Sequence, residues 1–529
     1  MKRQEWIFIS IISGLLIIIT AVPYLYGWLM TPPNYSFLGN GFFNSHDNHV
    51  YYAYIEQVKA GHFLLKDVFT SETQKPFLNI FWLLAGLLAS FFHLGPIFTL
   101  HFLRIILIPL FVIIAYKFAL LAYENDAKKE LKIRLAILFL FFTAGFGGLI
   151  CLFNKNFSSP LEVWWPEAYA FLSSYFSPHF IASWTLLLLS FYFLIKGLKE
   201  NSYKKICYAG LFGLFLIQFH TFYLALIAPV SLIFLIYSKN LIKDAVKKII
   251  LYNLFFVPAV AYYFFMIASD EVMGQRLFNN LMLTPNSPTK IILAFGLIIP
   301  LAIIAFLNLL KEKNNLAKIF LNIWFISVPF LILSKLPFER RLIEGWQFPA
   351  IILAVDSIFL IKNKFAPFKK ISALIFNRLT FFLIFIFPLI FIYFILFNVY
   401  YNPGERQFYL PNEVKDSLVW LKNKGTYDDI VLSSTYTGLA AAFMADKTVF
   451  IGHGFETLDS RKKMKQMAWF FQTNTEDDLK KEMLKNWNIK YLIFGPYEKA
   501  LNSIYEPDQK KYLTKIYSQK GVEIYQTAN

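Results

Sequence analysis

The residues best equipped for chemistry lie in one short polar run near the start of the chain, Asn44-Ser45-His46-Asp47-Asn48-His49. A fixed carboxylate takes a proton from an acceptor hydroxyl or amine as a general base, or holds a divalent cation that bridges a phosphate. Asp47 suits either role, with His46 beside it. Its plainer use is as the N-cap of a helix, predicted to run to Gly61 by the spacing of Tyr51, Tyr54, Ile55 and Val58. Asp67, Glu72, Gln74 and Lys75 follow, just ahead of Pro76. They offer more charge, or simply a solvated loop ended by a helix-starting proline. Arg340 and Arg341, close to Glu344 and Trp346, are donors of the fork geometry that suits a phosphate or pyrophosphate, or else headgroup anchors. Glu162 and Glu167 stand with Trp164, Trp165 and His179 in another polar stretch. Of the two acids, Glu167 is the one chosen to complement Asp47.

These residues interrupt a chain that is 57% hydrophobic, 19% aromatic and only 16% charged, the composition of a polytopic membrane protein. The first apolar stretch, Trp6 to Trp28, ends in aromatic residues and not in a small-residue cleavage site, so it is expected to be retained. A net charge of +17 suggests nucleic acid at first sight, but the Lys and Arg residues cluster in short loops between apolar stretches. That is positive-inside bias, and no nucleic-acid partner is expected. Cys151 and Cys207 lie in apolar segments and make neither a disulfide framework nor a CxxC metal site.

With Lys2 and Arg3 in the cytoplasm, every basic loop returns to the cytoplasmic side if Phe77 to Leu94 does not cross the bilayer. The count is then about eleven crossings, within about 11 to 13 helices. They are expected near Trp6 to Trp28, Ile97 to Ala122, Leu135 to Phe153, Phe180 to Ile195, Ile206 to Phe219, Thr221 to Tyr237, Ile249 to Ile267, Ile291 to Leu310, Ile319 to Leu333, Phe348 to Ile361 and Leu379 to Tyr400. The acidic and arginine-bearing loops fall outside. His101, Arg104 and His220 fall within or at the ends of apolar segments, where a polar side chain is costly unless paired.

The domains expected are 1–402, a multi-pass membrane region with a first external loop at 31–96, and 403–529, an extracytoplasmic α/β domain. Asn402-Pro403-Gly404 ends the last apolar helix. Beyond it, a helix from Asn412, a strand at Ile430 to Ser433, a helix from Gly438, a strand at Thr448 to Gly452, helices from Ser460 to Asn486 and a strand at Tyr491 to Phe494 predict a mainly parallel sheet. Gly452-His453-Gly454-Phe455-Glu456-Thr457 follows a strand end, as a substrate loop or as a tight turn.

Ser45-His46-Asp47-Asn48, the helix to Gly61, Asp67 and Lys75-Pro76 together resemble the first external loop of the GT-C membrane glycosyltransferases. That superfamily includes the protein O-mannosyltransferases and the lipid A aminoarabinose transferase. Arg104 in His101-Phe102-Leu103-Arg104 and the basic turn Lys128 to Arg134 are similar to the same layout, and the tail resembles the bacterial versions with an external α/β domain. The chain differs in having Asp47-Asn48 where many members have Asp-Glu, and Gln74-Lys75-Pro76 in place of His-Pro-Pro. The resemblance implies transfer of a sugar from a polyprenyl-phosphate donor to a protein, lipid or envelope-glycan acceptor on the outer face of a bacterial plasma membrane. Asp47 would be base or metal ligand, with Mg or Mn as the possible cation. Arg340, Arg341 and Lys75 would be the donor-phosphate ligands, and His46, Glu72, Arg104, His179 and His220 further candidates. A transporter or lipid flippase with His101, Arg104 and His220 along its path is the alternative, as is a non-catalytic envelope scaffold.

Overall fold

A helix needs about 20 apolar residues to cross a bilayer. The computed structural model describes the chain outside residues 42–44, 148–149, 151–152, 154–160, 240–241, 280, 286–287, 310–314, 365–377, 379–405 and 529. Among the described residues, six helices are long and apolar enough to cross: Arg3–Leu29, Pro96–Ala122, Pro178–Lys199, Thr221–Ser238, Ala245–Ser269 and Glu339–Asn363. The pair Pro288–Phe295 and Ile298–Asn308 passes the same test only when taken together and is bent by 92°, as a broken span or a re-entrant loop is. Gly296, at φ +56, supplies the backbone turn that an L side chain resists.

The expected crossings at Leu135 to Phe153, Ile206 to Phe219 and Ile319 to Leu333 are instead helices of 14, 17 and 16 residues, Lys129–Phe142, Tyr203–Phe219 and Leu316–Leu331. The helices of 14 and 16 residues fall below the about 17 to 25 residues of a crossing, and the one of 17 reaches that range. The one expected at Leu379 to Tyr400 lies outside the described residues. Phe77 to Leu94 contains a 12-residue helix, Ile80–Phe91, started where the Asn79 side chain accepts the Trp82 N–H. At about 1.5 Å per residue it is shorter than the hydrocarbon is thick.

Contacts divide the chain into two compact units. The first comprises Met1–Val22, His101–Phe264 and Leu281–Leu396. Its interior is aromatic: the Trp324 ring lies 4.9 Å from Phe191, and the Trp184 ring 5.5 Å from Phe111. It also buries a network of charges. The Lys132 ammonium lies 2.5 Å from Asp126 and 2.7 Å from Asp356, whose second oxygen lies 3.0 Å from Lys318. Both lysines sit over the Tyr123 ring.

The second unit comprises Pro23–Leu100, Phe265–Asn280 and Phe397–Asn529. The first loop, grouped with the membrane region on sequence grounds, thus packs with the tail. Strand β1 (Tyr35–Phe37) pairs antiparallel with β2 (Tyr409–Pro411). The Ser45–Lys59 helix stacks Tyr51 on Trp82 of the Ile80–Phe91 helix, with ring centroids 4.6 Å apart. Its other side carries His49 and Tyr52, which pack on Phe443 of the Thr435–Met444 helix at 5.4 and 5.3 Å.

The tail sheet contains β3 (Ile430–Leu432), β4 (Thr448–Val449), β5 (Ile489–Phe494), β6 (Leu513–Gln519) and β7 (Val522–Thr527), in the order β4-β3-β5-β7-β6. Strands β4, β3 and β5 run parallel as expected, and their apolar runs form a core with Phe450, Phe470 and Phe471. The expectation of a mainly parallel sheet is corrected by β6 and β7, which add an antiparallel hairpin to β5. Lys520 and Gly521 turn that hairpin with φ of +47 and +82, the conformation of a two-residue hairpin loop.

Candidate active site

Asp47 is the third residue of the Ser45–Lys59 helix, so it sits in the first turn and not at the cap position expected for it. An acidic side chain is favoured there, because the first-turn N–H groups have no partners within the helix. Its Oδ1 lies 2.9 Å from Nε2 of His453. Among the described residues no donor reaches its Oδ2, and its side chain is 31% exposed.

His453 lies in the glycine-flanked loop after β4, and its side chain is 4% exposed. Its Nδ1 accepts the N–H groups of Phe455 and Glu456, at 3.2 and 3.1 Å, and its carbonyl accepts the Thr457 N–H. The loop is in turn fastened to the first loop. Thr457 Oγ1 donates to the Phe69 carbonyl at 2.7 Å, and the Leu458 N–H donates to Thr70 Oγ1 at 3.1 Å. His46 is edge-on to His453 at 6.4 Å and to Tyr436 at 6.1 Å. Burial, then His453, holds the His46 imidazole below its ordinary pKa, against the opposing pull of Asp47.

A second link in the same unit runs through Arg276, on the Glu271–Asn279 helix. Its guanidinium lies 2.5 Å from the buried Asp67 carboxylate and also pairs with Glu456. Glu72 accepts from Lys463, at 2.8 Å, and from Thr70. Lys75 offers its backbone N–H to Asp270, and its ammonium lies 5.4 Å above the Phe265 ring. A cavity of about 660 Å³ opens beside this loop, lined by Arg276, Phe455, Arg461 and Lys462 among others.

The other sequence candidates belong to the first unit. Glu167, 3% exposed, lies 3.0 Å from Arg341 and 3.5 Å from Arg340. Arg341 also pairs with the buried Glu344 at 3.2 Å and lies over the rings of Phe180 and Phe222. Arg340 lies over Trp165. The rings of His179 and His220 are 5.1 Å apart. Ser177 meets His179 Nδ1 at 2.6 Å, and Ser183 meets His220 Nδ1 at 2.8 Å. Arg104 donates to the carbonyls of Thr20 and Tyr175, at 3.0 and 2.9 Å, and so ties helices together.

Sequence reasoning singled out Asp47 and the His453 loop but did not join them, and it gave Arg276, Glu456 and Lys463 no role. Little in the sequence signals Arg276: it stands in a polar stretch with Asp270, Glu271 and Gln275, and the acids it meets, Asp67 and Glu456, are far away along the chain.

No protein-family model and no curated protein matches the sequence. Solved structures do. The oligosaccharyltransferase of Archaeoglobus fulgidus in its apo form matches with a TM-score of 0.54 at 12% identity, over 98% of this chain and 74% of that one. The same enzyme, AglB, in complex with an inhibitory peptide and a dolichol-phosphate, matches at 0.51 and 13% identity over the same shares. In complex with Zn and sulfate it matches at 0.52 and 14% identity, over 96% of this chain and 73% of that one. The arabinofuranosyltransferase AftD from Mycobacteria matches at 0.52 and 10% identity, over 100% of this chain and 40% of that one. At these identities the likeness is one of fold: the chain shares the fold of these solved sugar transferases.

Proposed function

We propose that this protein transfers a sugar from a polyprenyl-phosphate-linked donor to an acceptor at the outer face of a bacterial plasma membrane, with its N-terminus in the cytoplasm. The observation that carries the reading is Asp47: a first-turn carboxylate with one oxygen engaged by His453 and, among the described residues, the other open. In such a transfer the acceptor heteroatom bonds to the anomeric carbon, the carbon–oxygen bond to phosphate breaks, and the acceptor proton passes to Asp47. The charge left on the phosphate needs donors, and Arg340 and Arg341 are the proposed ones. Glu167, already bound to both, acts through them by fixing their orientation. Lys75, His46, Glu72, His179 and His220 are proposed in supporting roles.

Lipid phosphate is the donor class because the oligosaccharyltransferase of matching fold is seen with a dolichol-phosphate. That enzyme has also been solved with Zn. Among the described residues of this chain, no group of three or more His, Cys, Asp or Glu is placed to hold a metal ion. The open Asp47 oxygen, as the alternative to its role as base, would be the group to hold a Mg-like or Mn-like ion, since such cations take oxygen ligands. Such an ion would offset phosphate charge.

The test is transfer of radiolabelled sugar by the purified full-length protein from a panel of polyprenyl-phosphate sugars, beside Asp47→Asn at matched folding. Loss of a general base predicts a fall in turnover of about 10²- to 10⁴-fold with donor binding kept. Equal product from both proteins would remove Asp47 from catalysis.

A further inference from the structure

We propose that His453 is a positioning residue: through one fixed imidazole tautomer it donates a hydrogen bond that orients the Asp47 carboxylate. The proposal rests on Asp47 acting in sugar transfer.

The hydrogen placement follows from the partners of the ring. Nδ1 faces two backbone donors, the N–H groups of Phe455 at 3.2 Å and Glu456 at 3.1 Å. A ring nitrogen that accepts uses its lone pair and carries no hydrogen, so the hydrogen is on Nε2. Nε2 is the atom 2.9 Å from Asp47 Oδ1. The contact is therefore an N–H donor on a carboxylate, the stronger, charge-assisted kind of hydrogen bond.

The ring has little freedom to leave this arrangement. Its side chain is 4% exposed, with His46 edge-on at 6.4 Å and Phe69 at 6.1 Å. Its own carbonyl accepts the Thr457 N–H at 2.9 Å, and the Thr457 hydroxyl is bonded to Phe69. The donor is thus held by its backbone, by Nδ1 and by its neighbours.

With Oδ1 engaged, the Asp47 carboxylate cannot turn freely about its terminal torsion, which is otherwise broad. Oδ2 becomes the oxygen presented for a proton or a cation. Groups held in a reactive orientation gain rate without touching substrate themselves. The tail, by supplying the donor, becomes part of the catalytic apparatus.

Two variants separate orientation from loop support. His453→Asn puts an amide oxygen where Nδ1 was, so the Phe455 and Glu456 N–H groups keep an acceptor as in an Asx turn, while nothing donates to Asp47. His453→Gln is longer, and its amide N–H reaches Asp47. In the full-length protein, His453→Asn is expected to melt as the unmodified protein does, to keep the donor KM and to lose about 10- to 100-fold in kcat, the usual effect of removing a group that orients an acting one. His453→Gln is expected to recover part of that loss. Unchanged kcat in His453→Asn would overturn the proposal, as would equal loss in both variants with lowered melting temperatures. A second readout needs no turnover. In ¹⁵N-histidine-labelled protein, the resonance that disappears in His453→Asn is expected to have the Nε2–H pattern and to shift in Asp47→Asn. An Nδ1–H pattern would overturn the proposal whatever the activity, whereas failure of the sugar-transfer reading would show in the donor panel alone.

Discussion

Lys480 and Lys463, both fully buried in the tail, have different company. Lys463 has a carboxylate, Glu72, and two hydroxyls. The Lys480 ammonium has the Thr473 carbonyl and the Tyr505 ring, 4.3 Å from its centroid, with Lys510 nearby. Burial, then Lys510, pushes Lys480 down to about 8. The unfolded chain holds that proton up to about pH 10.4. Between those values the unfolded state binds more protons, so this residue's contribution to stability rises with pH. Thermal melting of the full-length protein should therefore improve from pH 8 to 10 relative to Lys480→Met, and parallel curves would contradict the assignment. At this scale the sequence was partly legible. Asp47, Glu72, Arg340 and Arg341 stand out because ionisable residues are conspicuous in an apolar chain. Their partners did not stand out: Asp67 and Arg276 are 209 residues apart, and Asp47 and His453 are 406 apart. No periodicity spans such a gap.

At the scale of elements, Asp47 depends on where the Ser45–Lys59 helix lies, and that rests on a contact without slack. Gly86 faces Val58 so closely that an added Cβ would overlap the valine side chain. Gly86→Ala should therefore push the two helices apart, cost about 1–3 kcal/mol as overpacking does, and lower both melting temperature and transfer. Gly95→Ala, where nothing lies within 4 Å, is the control and should match the parent protein. Stability of Gly86→Ala equal to the control would show that the helices have room. The helix itself was legible from its spacing. The β6–β7 hairpin was missed although Lys520-Gly521 between alternating runs is a hairpin signal.

At the scale of the molecule, the buried network of Lys132, Lys318, Asp126 and Asp356 balances two cations against two anions. Removing one partner of such a set leaves a buried charge without compensation. Asp356→Ala should destabilise the protein by about 3–5 kcal/mol, read as thermal unfolding in detergent. A change under 1 kcal/mol, typical of exposed pairs, would mean that the network is solvated. Orientation is testable at the same scale. Lys520, at the hairpin turn, has a side chain that is 71% exposed. In a chain whose two cysteines are replaced by serine, Lys520→Cys should take up a membrane-impermeant maleimide in intact cells. Labelling only after lysis would reverse the proposed topology.

The sequence by itself determined the class of the protein, because transfer of apolar residues into a bilayer is a local property that composition and run length report directly. It also determined the parallel half of the tail, where turn residues and short apolar runs alternate. The tertiary structure alone decided which polar groups meet. Packing made one unit of the first loop, the Glu271–Asn279 helix and the tail, and hydrogen bonding within it directs His453 at Asp47 and Arg276 at Asp67 and Glu456. The lengths of the described apolar helices were decided there too: helix length depends on where a chain turns, and a turn such as the one at Gly296 is set by its neighbours as much as by its own residues.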